Sequence, residues 1–201
     1  MFKKRYLTYS AGPMESVSLD DMTGWRNEIS EHLTKLNINV YDPVEQENKK
    51  VGKTADSSIA YMNGLKAKGD WKTFYDKMFN IWFGTISPNT DLLTLLQHLR
   101  MRKHIETEND KYFDNMGDAE AVVRSDFLIA YVPDVRMVGT IYEVMIAFLF
   151  RIPTYFIFPD KKLEEINSSL LFGGMISNNG ELKAYSNISD CIKQITKDFN
   201  L

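Results

Sequence analysis

Cysteine is nearly missing from this chain of 201 residues: Cys191 stands alone, so no internal disulfide can staple the fold. A hydrophobic content of 44% at this length is enough to build a core by packing, without disulfide or metal support. One unpaired thiol also fits a reducing compartment. Histidine is scarce too, and His32, His98 and His104 have no metal-ligand spacing among themselves, so no metal is expected. Neither sign of charge dominates: 24 Lys and Arg against 27 Asp and Glu leave a net −3. That excludes a surface built to coat nucleic acid and points to small-molecule partners over polymers. No apolar run approaches the ~18 residues of a membrane helix, and the basic start Met1 to Tyr6 is not followed by an apolar stretch of signal-peptide length. The expectation is a soluble, cytoplasmic protein that does not engage a membrane. Gly-x4-Gly-Lys-Ser/Thr and Gly-x-Gly-x-x-Gly are both missing, which argues against an ATPase or dehydrogenase, and no cofactor is expected. There is no internal repeat or low-complexity tract.

What is present alternates between strand and helix. Apolar runs at 5–10, 37–41, 126–132 and 153–158, with a short fifth near 182–185, read as strands. Helical spacing falls near 19–36, 113–124, 140–151 and 188–199. Alternation of this kind implies βαβ crossovers and a parallel sheet. The expected fold is α/β and flavodoxin-like: a three-layer sandwich with a five-stranded parallel sheet, in one domain spanning 1–201. After the second strand comes a segment too long for a plain crossover, at about 46–112, which must carry structure of its own. Helical spacing recurs in it at 59–65, 71–79 and 91–100. Its aromatic residues Trp71, Phe74, Tyr75, Phe79, Trp82 and Phe83 suit core packing, an interface between subunits or a ligand pocket. The basic group Arg100, Arg102, Lys103 and His104 reads as a solvated helix end or, more sharply, as a phosphate contact.

The most informative stretch runs from Asp118 to Glu143. A helical segment from Asp118 leads to Asp126 and the strand Phe127 to Val132; then come Val138-Gly139-Thr140, read as a small-residue turn, and Glu143 on the first turn of an apolar helix. Val144 to Phe150 is apolar all round, so that helix is expected to be mostly buried. A carboxylate at the carboxyl end of a parallel strand stands where open α/β sheets bind ligands. It also has a plainer reading, as a charge that complements the helix dipole.

The ordered set of these motifs resembles the nucleoside 2-deoxyribosyltransferase family and the related 2′-deoxynucleoside 5′-monophosphate N-hydrolases. The match runs through Tyr9 to Pro13 after the first strand, the helix carrying Trp25-Arg26, Asp42-Pro43 after the second strand, Asp118, Gly139-Thr140 and Glu143. It covers residues 5–45 and 114–158. The chain departs from the pattern at Met137, where the transferases carry an aspartate and the hydrolases often a serine. Asp134, three residues earlier, is the nearest substitute.

The resemblance implies an enzyme that cleaves the N-glycosidic bond of a deoxynucleoside or its monophosphate and transfers the sugar to another base. Hydrolysis by water, and a nucleotide-sensing module that has lost catalysis, are the alternatives. Glu143 would be the nucleophile at C1′, and Asp118 the general acid and base, unless it belongs to a solvated acidic face with Asp114 and Glu120. Tyr9 or Tyr142 would orient Glu143, or simply pack. Gly12, Gly139 and Thr140 would let a ligand approach the backbone and free helix amides, and Ser10, Ser16 and Ser18 would contact a 5′-phosphate or form turns. Asp134 would border the ligand. A homo-oligomer, dimer or higher, is expected through the aromatic segment and the apolar helix.

Overall fold

The computed structural model describes residues 6–14, 18–52, 54–102, 116–133, 137–159, 163–166 and 168–201, with the side chains of 55, 56 and 102 left aside. Asp134, Ser16, Lys103, His104 and Asp114 lie outside the described residues. The chain forms two compact units, one of Met1–Tyr41 with Ser125–Leu201 and one of Asp42–Arg124.

The first unit holds the sheet. Five strands, β1 (Tyr6–Ala11), β2 (Ile38–Tyr41), β3 (Phe127–Tyr131), β4 (Thr154–Ile157) and β5 (Ala184–Tyr185), lie in the order β2-β1-β3-β4-β5 and all run parallel. This is the flavodoxin-like order, and the sequence expectation of an α/β sandwich with a five-stranded parallel sheet holds. The strands read as continuous apolar runs because both faces are covered. On one face lie α1 (Leu19–Lys35) and α9 (Ile188–Phe199), which bring Trp25, Ile29 and Leu33, and Ile188, Cys191, Ile192 and Ile195, against Phe127, Ile129, Tyr155 and Ile157. The buried positions of α9 follow i, i+3, i+4, i+7, the stripe a core-facing helix needs. Each fully buried Ile or Phe here contributes about 1.5–3 kcal/mol.

The other face carries α7 (Val138–Leu149) and α8 (Ser168–Ser177), which pack on each other and on the sheet. Gly174 lets α8 come down onto the sheet, since a Cβ there would collide with the Phe156 ring. Asn178, just past α8, clamps β4 from its side chain: it accepts from the Thr154 amide at 3.0 Å and donates to the Thr154 carbonyl at 2.7 Å. The β1–β3 register is pinned by Asp126, whose side chain accepts from the Leu7 amide at 2.9 Å while its own amide donates to the Leu7 carbonyl.

The second unit is helical: α2 (Pro43–Val51), α3 (Ala55–Lys68), α4 (Trp71–Phe83), α5 (Leu92–Arg102) and α6 (Asp118–Arg124). It is wider than the segment expected at 46–112, and the Asp118 helix belongs to it. Asp42 caps α2 by accepting from the Val44 amide, with Pro43 in the first turn where its missing N–H costs nothing. Met62, Leu65 and Ile81 form one core cluster in it, with Val51, Tyr61, Phe74 and Met78 packed against them. Only part of the aromatic set serves this core: Trp71 and Tyr75 remain 61% and 52% exposed.

Candidate active site

The strand order turns at β1, which has β2 on one side and β3 on the other, so the crevice of this fold opens beyond the carboxyl ends of β1 and β3. Tyr9, on β1, is in register with Leu128 and Tyr41 and lies on the α7 face of the sheet. Its ring stacks on Tyr41 at 5.4 Å and is fully buried. From there its hydroxyl donates to Oε1 of Glu143 at 2.6 Å, a short bond of the strong, charge-assisted length. Glu143 is itself buried on α7.

The structure moves Glu143 from where the sequence put it. Helix α7 begins at Val138, so Gly139 and Thr140 belong to its first turn and Glu143 to its second. Among the described residues of that first turn there is no acid, and the N-cap residue Met137 makes no side-chain cap bond. A carboxylate one turn in is less suited to complementing the dipole, whose effect fades within the first turn. Gly139 is helical, with no positive φ, and a Cβ there would meet open space. Its role as a turn former is thus corrected. Thr140 lies on the same side of the helix as Glu143, three residues before it, and its buried Oγ1 has no hydrogen-bond partner among the described residues. The expectation of a mostly buried helix is also corrected: α7 buries Thr140, Glu143, Val144 and Ala147 and leaves the opposite side in solvent. Tyr142 is on that outer side, 59% exposed, so Tyr9 and not Tyr142 holds the glutamate.

Gly12 and Pro13, which follow β1, are braced by the packing and hydrogen bonds of Trp25, Arg26 and Tyr131. Trp25 stacks flat on Tyr131, the last residue of β3, at 4.7 Å, and fills the space a Gly12 side chain would need. The Arg26 guanidinium lies over the Trp25 ring and donates to the carbonyls of Gly12, Pro13 and Met22 while fully buried. The Gly12-Pro13 and Trp25-Arg26 motifs are therefore one structural device that sets the crevice wall. Ser10 is buried and donates to the Tyr41 carbonyl at 3.2 Å, which ties β1 to β2. Ser18 caps α1 by accepting from the Asp21 amide.

Asp118 is in the second unit. It opens α6, and the preceding Gly117 lies so close to the end of α4 that a Cβ would strike backbone atoms of Trp82, Phe83 and Gly84. Asp118 and Glu120 are buried, which corrects the reading of a solvated acidic face. Glu120 pairs with Arg124 at 3.2 Å. Lys50 of α2 donates to the Ile81 carbonyl at 3.1 Å; burial pushes its ammonium below its usual value, and the charges of Asp118, Glu47 and Glu120 act against that fall. Sequence reasoning missed Lys50, together with Gln46 one turn before it on α2 and Ser58 on α3. Gln46 Oε1 and Ser58 Oγ are buried with no hydrogen-bond partner among the described residues. The spacing of Gln46 and Lys50 was the available signal. Among the described residues no three His, Cys, Asp or Glu side chains are grouped to hold a metal ion. No helix of the described residues is long and apolar enough to cross a membrane.

Together these features define an α/β protein of flavodoxin-like topology with a buried, tyrosine-held glutamate at the turning point of the sheet. A solved structure described as a conserved protein from Enterococcus faecalis V583 is similar to it, with a TM-score of 0.51 and 14% identity over 97% of this chain and 99% of that one. At that identity the likeness carries the fold alone. No family model matches the chain, and no curated protein matches it.

Proposed function

We propose that this protein cleaves the N-glycosidic bond of a 2′-deoxynucleoside or its 5′-monophosphate and transfers the sugar to a second base, in the manner of nucleoside 2-deoxyribosyltransferases. The observation that carries the reading is the hydrogen bond from Tyr9 to Glu143 beyond the turning point of the sheet. In the reaction a Glu143 oxygen bonds to C1′ as the C1′–N bond breaks, capturing the oxocarbenium-like sugar as an ester. Tyr9 fixes the attacking carboxylate in one orientation, which lowers the entropic cost of attack. The departing base takes a proton from a general acid, Asp118 in the pattern this chain resembles. A nitrogen of the incoming base then opens the ester, returns the proton and restores Glu143. Water in place of the base would make the same site a hydrolase.

The test is product analysis. The protein is incubated with purine and pyrimidine deoxynucleosides and their monophosphates, with and without a different free base, and chromatography follows released base and new nucleoside. New nucleoside that requires the added base supports transfer. Released base alone would mean hydrolysis. Neither product from any substrate would sink the catalytic reading and favour nucleotide sensing.

A further inference from the structure

Gly117 seats the start of α6 on the end of α4 so closely that a Cβ would strike the backbone of Trp82, Phe83 and Gly84. One residue earlier on α4, the Ile81 carbonyl accepts from Lys50 Nζ of α2 at 3.1 Å. The end of α4 thus draws together the Lys50 ammonium and the start of α6, where the buried Asp118 stands next to Gly117. The charges agree. Among those that favour the ammonium, Asp118 acts more strongly than Glu47, which is only three residues from Lys50 on its own helix. Glu120, the other buried acid of α6, is matched by Arg124 at 3.2 Å. Across α2 to α6 the remaining half-buried titratable groups among the described residues are Glu47, Tyr61, Lys66, Lys77 and His98, so a test has to read Lys50 and Asp118 themselves.

We infer that Lys50 is the positioning residue of Asp118: its ammonium, anchored on the Ile81 carbonyl, stabilises the buried side chain in its carboxylate form. A buried carboxylate without a cation takes up a proton sooner than it stays charged, and a nearby ammonium reverses that preference. The anchor matters because a lysine stem is flexible, and the carbonyl holds its charge in one place. What the pairing does for catalysis rests on the proposed glycosidic reaction. There the O–H bond of Asp118 breaks as an N–H bond forms on the departing base, and the carboxylate left behind is stabilised by an ammonium that keeps all its own protons. Lys50 thus makes Asp118 a readier donor, and one that is loaded with its proton only at lower pH. When the second base arrives, the same carboxylate takes the proton back.

NMR titration of the full chain tests this, following the carboxyl carbon of Asp118 and the ζ nitrogen of Lys50. Lys50→Met should raise the Asp118 midpoint by about 1–3 pH units, and Lys50→Arg should keep it near the parent's. From the other end, Asp118→Asn should lower the Lys50 midpoint, so either variant decides the matter if the other does not fold. Lys49→Met removes an exposed lysine paired with Glu45 on the same helix and should move neither midpoint. With a deoxynucleoside that turns over, the limb of kcat/KM that follows Asp118 should shift to higher pH in Lys50→Met and return in Lys50→Arg. An Asp118 midpoint unchanged in Lys50→Met, or a Lys50 midpoint unchanged in Asp118→Asn, would overturn the inference. A parent that releases no base from any substrate would count against the proposed reaction instead, and the two midpoints would still decide whether Lys50 governs Asp118.

Discussion

The hydroxyl of Tyr9 reaches Oε1 of Glu143 at 2.6 Å with both side chains buried, and the two residues lie 134 positions apart in the chain. A strand and a helix from opposite halves of the sequence are brought together by the order of the sheet, which sets β1 beside β3. Burying a carboxylate is costly unless donors meet it. Here the donor comes from the strand layer, so the glutamate's position is fixed by the sheet itself.

Removing the carboxylate should therefore separate chemistry from folding. Glu143→Gln keeps the volume and still accepts from Tyr9, yet the amide is a poor nucleophile. Base release should fall below about a hundredth of the parent, with the urea midpoint changed little. Tyr9→Phe should do the reverse in part: a loss of about 1–3 kcal/mol of stability for the missing donor, and a rate lower by about tenfold to a hundredfold as the carboxylate loses its orientation. Retention of more than about a tenth of the activity in Glu143→Gln would remove it from the nucleophile role.

Two glycines should respond in opposite ways to the same substitution. Gly12→Ala drives a methyl into the Trp25 ring, which Tyr131 and Arg26 hold in place, so overpacking should cost about 1–3 kcal/mol. Gly139→Ala meets open space in the first turn of a helix and should stabilise by about 0.5–1 kcal/mol. Urea unfolding of both variants measures this. Equal effects would mean that the loop after β1 is not braced by Trp25.

Legibility in the sequence followed how local each cause was. The strands β1, β3 and β4 were readable because burial on both faces makes them apolar throughout. Helix α8 was not, because its Gly173-Gly174 pair lowers helix propensity, and the reason for Gly174 lies in the distant Phe156 ring. Helix α2 was hidden by its polar run Glu45 to Lys50, although Asp42-Pro43 is a sound helix start. At the site, Glu143 could be singled out from its position after a strand, but its helix register was misjudged because Gly139 suggests a turn. The partner of Glu143 was left open between Tyr9 and Tyr142, and only the fold decides between a strand residue and its neighbour on the outer side of the helix. For Asp118 and Glu120, two acids on a short helix look solvated until Lys50 and Arg124 are found near them.

Buried thiol and phenol groups should act against stability at alkaline pH. Burial raises the Cys191 thiol far above its ordinary 9.0. Burial also raises Tyr155, with its bond to Asp198 adding to the rise, and pushes Tyr185 from 10.0 up to about 12. In each case the folded state holds the proton more tightly than the unfolded chain. Below pH 9 these three groups are protonated in both states and add no pH dependence. Above pH 9 the unfolded thiol ionises first, and above pH 10 the phenols follow, so the folded state loses ground. The lowered Lys50 ammonium works in the opposite direction, so the reading is a difference: from about pH 9 upward the parent's urea midpoint should fall relative to that of Cys191→Ala. A parent midpoint that held or rose relative to Cys191→Ala across this range would contradict the assignment.

Asp118 and Lys50 offer a test of whether a buried carboxylate serves chemistry or only its charged neighbour. Asp118→Asn removes a negative charge that offsets the burial of the Lys50 ammonium, so it should destabilise by about 1–3 kcal/mol. Adding Lys50→Met removes the exposed need for that charge, and the double variant should recover much of the lost stability, a coupling that a double-mutant cycle measures. Activity should not recover with it. If Asp118 exchanges a proton with the base, an amide at that position abolishes the step whatever occupies position 50, and the pH–rate profile loses one limb. Return of both stability and turnover in Asp118→Asn/Lys50→Met would confine Asp118 to the packing of the second unit and leave proton delivery to another group.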